Sequence, residues 1–178
     1  DDDWVILAVA GGGGGAYSGM FAYICTDLDD GKGGRSETSG GSGKIQSEND
    51  TSGGENGEAG KGFSNTSGGG AGAFASAEKN SFTGNAAKKG YPYGGSGAKC
   101  NLCRNGGWGF GGGGFSFYGP GGGGGYSGGG AGCIAQAGGG GSYTNPMSTR
   151  YEITSGGKGT ESDGYVKYKI NPAESDYS

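Results

Sequence analysis

The residues best equipped for chemistry are four cysteines, Cys25, Cys100, Cys103 and Cys133. Cys100-Asn101-Leu102-Cys103 has the CxxC spacing shared by redox dithiols and zinc ligands. There is no second CxxC and no histidine in the chain, so only Cys25 and Cys133 could complete a four-thiolate site. Disulfides are the simpler reading of an even cysteine count, and three full pairings stay open. One expectation is a strut tying Cys133 to Cys25 or to the CxxC pair. The lack of histidine also removes Ser–His and Cys–His nucleophile pairs. Nothing positions a serine–lysine pair or two carboxylates. Asp27, Asp29 and Asp30 look like a fragment of a calcium loop, but the downstream acidic ligand is out of register. Gly11–Gly15 follows an apolar run as a phosphate cradle would, yet neither the P-loop pattern nor a following helix pattern is there. The expectation is a non-enzyme with no metal and no cofactor.

Binding chemistry is better represented. Proline sets Tyr91-Pro92-Tyr93 in an exposed turn or edge, which makes Tyr91 and Tyr93 the partner-binding candidates. Asn49-Asp50-Thr51 and Asn65-Thr66-Ser67 are glycosylation sequons, with Asn49 and Asn65 as the acceptors. With the even cysteine count they favour an oxidising, extracellular setting. The formal net charge is −4 and the basic residues form no stripe, which argues against nucleic acid. No apolar run approaches the roughly 18 residues a membrane helix needs.

The elements that must position these groups are dominated by glycine, 51 residues of 178, against a usual share of about 7%. Fixing glycine costs more backbone entropy than fixing any other residue. The apolar residues, 30% of the chain, are too few to offset that with an ordinary side-chain core. Either the chain is disordered or its glycines bury backbone. Placement favours the second. Residues 105–149 carry no charge, Arg104 and Arg150 stand just outside, and 21 of the 36 residues from Gly106 to Gly141 are glycine. A flexible linker gains nothing from such a ban on charge; a desolvated interior does. Glycine strands in a polyproline-II-like conformation have no internal hydrogen bonds and must pair laterally.

Around this block the reading is all-β. Trp4–Ala10 reads as a strand and Ala16–Cys25 as a second. Residues 27–61 hold eight acidic and four basic side chains and read as solvated loop, with glycine rungs such as Gly68–Gly70 just beyond. Phe63, Phe74 and Phe82 read as pegs into the core. Residues 164–170 alternate cleanly, Val166, Tyr168 and Ile170 on one face and Lys167 and Lys169 on the other. The organisation expected is one domain over 1–178, with polar excursions at 27–104, a charge-free glycine core at 105–149 and a closing strand at 164–170.

Four patches then carry a resemblance. The strand and glycine run from Val5 to Tyr17, the passage from Cys100 through Trp108-Gly109-Phe110-Gly111-Gly112, the run Gly121–Gly130 and the strand Gly164–Ile170 occur in this order. Together they resemble the later half of the glycine-rich extracellular domain of the anaplastic lymphoma kinase and leukocyte tyrosine kinase receptors. The resemblance implies a partial, jelly-roll-like β-sandwich bearing packed polyglycine-II strands. The composition is also similar to that of bacteriophage tail-tip adhesins. The receptor domain continues upstream of the position matched by Trp4. A framework without those strands leaves sheet edges bare and open to pairing with another chain. The expected function is therefore a non-enzymatic extracellular structural module that self-assembles into a filament, coat or matrix. Its partners are expected to be copies of itself or another extracellular protein. The alternatives are a ligand-binding ectodomain module of a receptor and an adhesive or ice-binding surface.

Overall fold

The computed structural model describes residues 4–15, 34–35, 38–45, 51–64, 66–79, 83–101, 103–117, 119–133, 136–148, 166–167 and 169. Among them there is no helix, and the strands are short: β1 (Ala8–Val9), β2 (Thr83–Asn85), β3 (Lys99–Cys100) and β4 (Tyr143–Thr144). β1 pairs antiparallel with β4, Ala8 opposite Thr144 and Val9 opposite Tyr143. β2 pairs antiparallel with β3, with an irregularity between Thr83 and Asn85. Of the expected sandwich, the described residues thus supply two antiparallel ladders. Ala16–Cys25 lies outside them, as do Phe82 and most of 164–170.

The first apolar run is shorter as a strand than its sequence suggests. Only Ala8 and Val9 pair, while Trp4, Val5 and Leu7 are more than half exposed. Little apolar material stands ready to cover them. Among the described residues the buried apolar ones are Val9, Phe115 and eight alanines, and Phe115 is the one large side chain among them. Ala71, Ala77, Ala87 and Ala98 gather around it. Phe63 is half-buried and Phe74 nearly half exposed, so neither is a peg of the kind expected.

The interior is built from backbone. Gly128–Gly130 are buried, and their three N–H and three C=O groups all bond laterally, each to a different segment. The N–H groups donate to Glu58 O (2.9 Å), Gly123 O (2.7 Å) and Gly41 O (2.9 Å). The carbonyls accept from Gly54 N (2.7 Å), Gly70 N (2.9 Å) and Gly138 N (2.9 Å). A strand in a sheet bonds to two neighbours and a helix to itself. Here the bonds radiate in all directions around the chain.

A three-residue repeat runs through this packing. Gly122 and Gly125 donate to Gly68 and Ala71, and Gly128 and Ala131 donate to Glu58 and Lys61. Gly121 and Gly124 accept from Gly15 and Gly12. Nearly all the glycines of these runs lie where a Cβ would fall within 3.0 Å of a neighbouring run's backbone. Gly128, Gly129 and Gly130, for instance, would strike the carbonyls of Gly70, Gly138 and Thr51. At those glycines the close approach that satisfies the backbone leaves no room for a side chain, while Ala71 and Ala131 take the positions in the same runs where a methyl fits.

The polar stretch differs most from its sequence reading. Gly40–Gly43, Thr51–Gly54 and Glu58–Lys61 are runs of this packing, not loops beside it. Lys44, Glu58 and Lys61 turn their side chains outward while their backbones bond to Cys133, Gly128 and Ala131. These are boundary runs with one wet face. Asn56 and Gly57, both at positive φ (50° and 86°), make the turn that folds one run back on the next, closed by Glu58 N to Glu55 O at 2.8 Å. Asn-Gly is the dipeptide that such a turn favours. Buried hydroxyls stitch the ends: Ser67 Oγ donates to Gly132 O (2.6 Å), and Ser127 Oγ accepts from Gly57 N (3.0 Å).

Candidate binding surface

Two adjoining concavities open on one side of the glycine body. The first is an apolar cleft of about 290 Å³, lined by the Trp4–Ala8 run with Tyr91, Pro92, Phe110 and Val166. Asn145 holds the run in place. Its backbone N–H donates to Leu7 O (2.8 Å) and its Nδ2 to Ile6 O (3.1 Å). The side chains of Trp4, Val5 and Leu7 are left facing out because the backbone alone is tethered.

The second is a groove of about 740 Å³ with a glycine floor and glycine walls. Gly121–Gly124 form the floor, Gly12–Gly15 one wall, and the stretch 105–114 the other. Ala8, Phe110 and Val166 line both concavities, so the two are continuous. None of the described lining residues is charged. The arrangement suits an uncharged chain or an aromatic side chain, and the hydroxyl-bearing residues of its lining are Ser116 and Tyr91.

Of the two tyrosines singled out in the sequence, Tyr93 is 86% exposed, its ring edge-to-face with Trp4 at 6.5 Å. Tyr91 is half-buried; its hydroxyl donates to Trp4 O at 2.5 Å and its ring meets Phe74 at 5.8 Å. The peptide between Tyr91 and Pro92 is cis. Phe74 continues to Tyr126 (6.0 Å), which stacks on Tyr143 (4.4 Å, 15° between planes). Burial, and secondly the neighbouring Tyr143, push the Tyr126 hydroxyl above its ordinary value. The surface residue that sequence reading passed over is Trp108, 80% exposed on the groove wall. Its signal was a large aromatic between glycines, where nothing nearby could bury it.

Cys100 and Cys103 are joined by a disulfide, with Cα atoms 5.3 Å apart. The CxxC pair closes on itself, so the expected strut from it to Cys133 does not form. Cys133 is half-buried beside the glycine body, its N–H donating to Lys44 O at 3.1 Å. Cys25, the other expected partner, lies outside the described residues, as do Asn49, Asn65, Asp27, Asp29 and Asp30. Among the described residues no three potential metal ligands cluster, and no helix is long and apolar enough to cross a membrane. No family model matches this chain, and neither a curated protein nor a solved structure is similar to it.

Proposed function

We propose that this chain is a non-enzymatic structural module of the cell exterior, whose body is a bundle of polyglycine-II strands and which associates with copies of itself. The observation that carries the reading is the hydrogen bonding of Gly128–Gly130, six bonds to six different segments. A threefold chain points its backbone groups outward every 120°, and hexagonal packing gives each such chain six neighbours. Such a bundle resists bending because backbone groups such as those of Gly128–Gly130 are engaged laterally. It spends almost no side chains on its own interior, so its surface alone sets what it joins. An uncharged groove and cleft without catalytic groups fit association.

Native size and spectrum test this. Sedimentation of the intact chain is expected to show discrete species larger than the monomer, with a far-ultraviolet spectrum lacking helical minima. A monodisperse monomer that captures a heterologous protein ligand would instead favour the receptor-module reading. That alternative draws on the exposed aromatic cleft at Trp4, Tyr93 and Phe110.

A further inference from the structure

The run 121–125 has a defined ring of neighbours. It accepts from Gly12 and Gly15, from Gly114, and from Gly129, and it donates to Gly68, Ala71 and Gly138. The neighbours also bond to one another in sequence around it. Gly68 and Ala71 donate to Phe115 and Gly112, Gly70 to Gly129, Gly138 to Gly130, and Gly140 to Gly12. Going round, acceptor and donor directions alternate. The ring is continuous from 111–115 to 11–15, and its remaining side is the glycine groove, whose walls are those same two runs. By alternation that side is a donor direction. The three-residue repeat assigns Gly121 N–H and Gly124 N–H to it, and among the described residues nothing accepts from either.

We infer that the groove binds an extended run of a second copy of this chain, namely Asn105–Gly109, with the exchange made mutually. This rests on the self-association reading above. The run is uncharged, lies on the groove rim, and is exposed at Asn105, Gly107, Trp108 and Gly109. The carbonyls of Asn105 and Trp108 are three residues apart and accept nothing among the described residues. They match the spacing of the two donors. Gly107 and Gly109 keep the run narrow enough for glycine walls, since a Cβ on Gly107 would meet nothing on its own copy. Trp108, 80% exposed, would anchor in the apolar cleft beside the groove. The contact is isologous and closes as a pair, the unit from which any larger assembly would be built.

The test uses the intact chain, Gly107→Leu and Trp108→Ala, each by sedimentation over a dilution series, with amide exchange read at single residues. The expected result is a dimer whose dissociation constant rises roughly tenfold or more in each variant. Exchange at Gly121 and Gly124 should slow as wild-type concentration rises, while Gly129 stays protected throughout. Association that persists in both variants, with Gly121 and Gly124 exchange independent of concentration, overturns the groove contact but leaves self-association standing. A monomer at every concentration overturns both. Should a variant lose the wild-type spectrum, wild-type exchange at Gly121 and Gly124 decides alone.

Discussion

At the scale of single residues, glycines here are not equivalent, and the structure says which ones matter. A Cβ on Gly129 would collide with the Gly138 carbonyl, a backbone group held by its own neighbours. Gly129→Val should cost about 3 kcal/mol or more, at the upper end of overpacking effects, because no side chain can move aside. Gly107→Ala meets no such wall within its own copy and, at concentrations where the chain is dissociated, should be neutral or stabilising by up to about 1 kcal/mol through the unfolded chain. Urea titration of both variants checks the contrast; equal effects would mean the packing is not as tight as described. Tyr126 gives a second residue-scale prediction. Its pKa is raised in the folded state, so the unfolded chain ionises first. The stability it contributes is fully present below about pH 10 and is lost as pH rises through the folded value. Thermal melts of wild type should fall in the alkaline range, and Tyr126→Phe should show a shallower fall. An identical slope in the variant would remove Tyr126 as the cause.

At the scale of elements, the runs depend on how their ends are tied. Ser127 Oγ accepts from Gly57 N–H at the turn between 51–54 and 58–61, and Ser127 is fully buried. Ser127→Ala leaves that buried N–H unsatisfied, for an expected loss of about 1–3 kcal/mol in chemical denaturation. Gly57→Ala should be worse, since it adds strain at positive φ and drives a Cβ into the Phe74 ring. The charge-free block is largely exposed at 105–109, but its mostly buried stretches 119–132 and 136–142 were legible because a desolvated interior forbids charge. Runs 40–43, 51–54 and 58–61 were not. Glu58 and Lys61 within them, and Lys44 just after the first, mark a wet face, while their contribution to the interior is made by backbone, which every residue has. Side-chain polarity reports only the face that a run turns to solvent. For the same reason Trp4–Ala10 looked like a strand along its whole length, while only Ala8–Val9 pairs: apolar character showed what the residues could cover, but not that the interior had no room for them. The groove was invisible in sequence because one wall, Gly12–Gly15, lies far along the chain from the floor at 121–124 and the other wall at 105–114.

At the scale of the whole molecule, a backbone-built interior changes the thermodynamics of unfolding. An ordinary domain exposes mostly apolar side chains when it unfolds, and the heat capacity rises by about 12–15 cal/mol/K per residue. Apolar exposure raises that quantity and polar exposure lowers it. Here the large buried groups are peptide units, the buried apolar residues being mainly alanines with Val9 and Phe115. Trp4, Trp108, Tyr93 and Met147 are already more than half exposed in the folded chain. Calorimetry should therefore give a heat-capacity increment per residue well below that of ordinary domains. The consequence is a flatter stability curve, with less weakening on cooling, because the hydrophobic term that fades in the cold is small from the start. Fragmenting the body should be costly for the same reason. Lateral bonds are cooperative only while each run has its neighbours, so native-state exchange should show the amides of Gly128–Gly130, Gly122, Gly123 and Gly125 opening together, in one unit. A normal heat-capacity increment, or glycine amides that exchange run by run, would mean that side chains rather than backbone hold this molecule together.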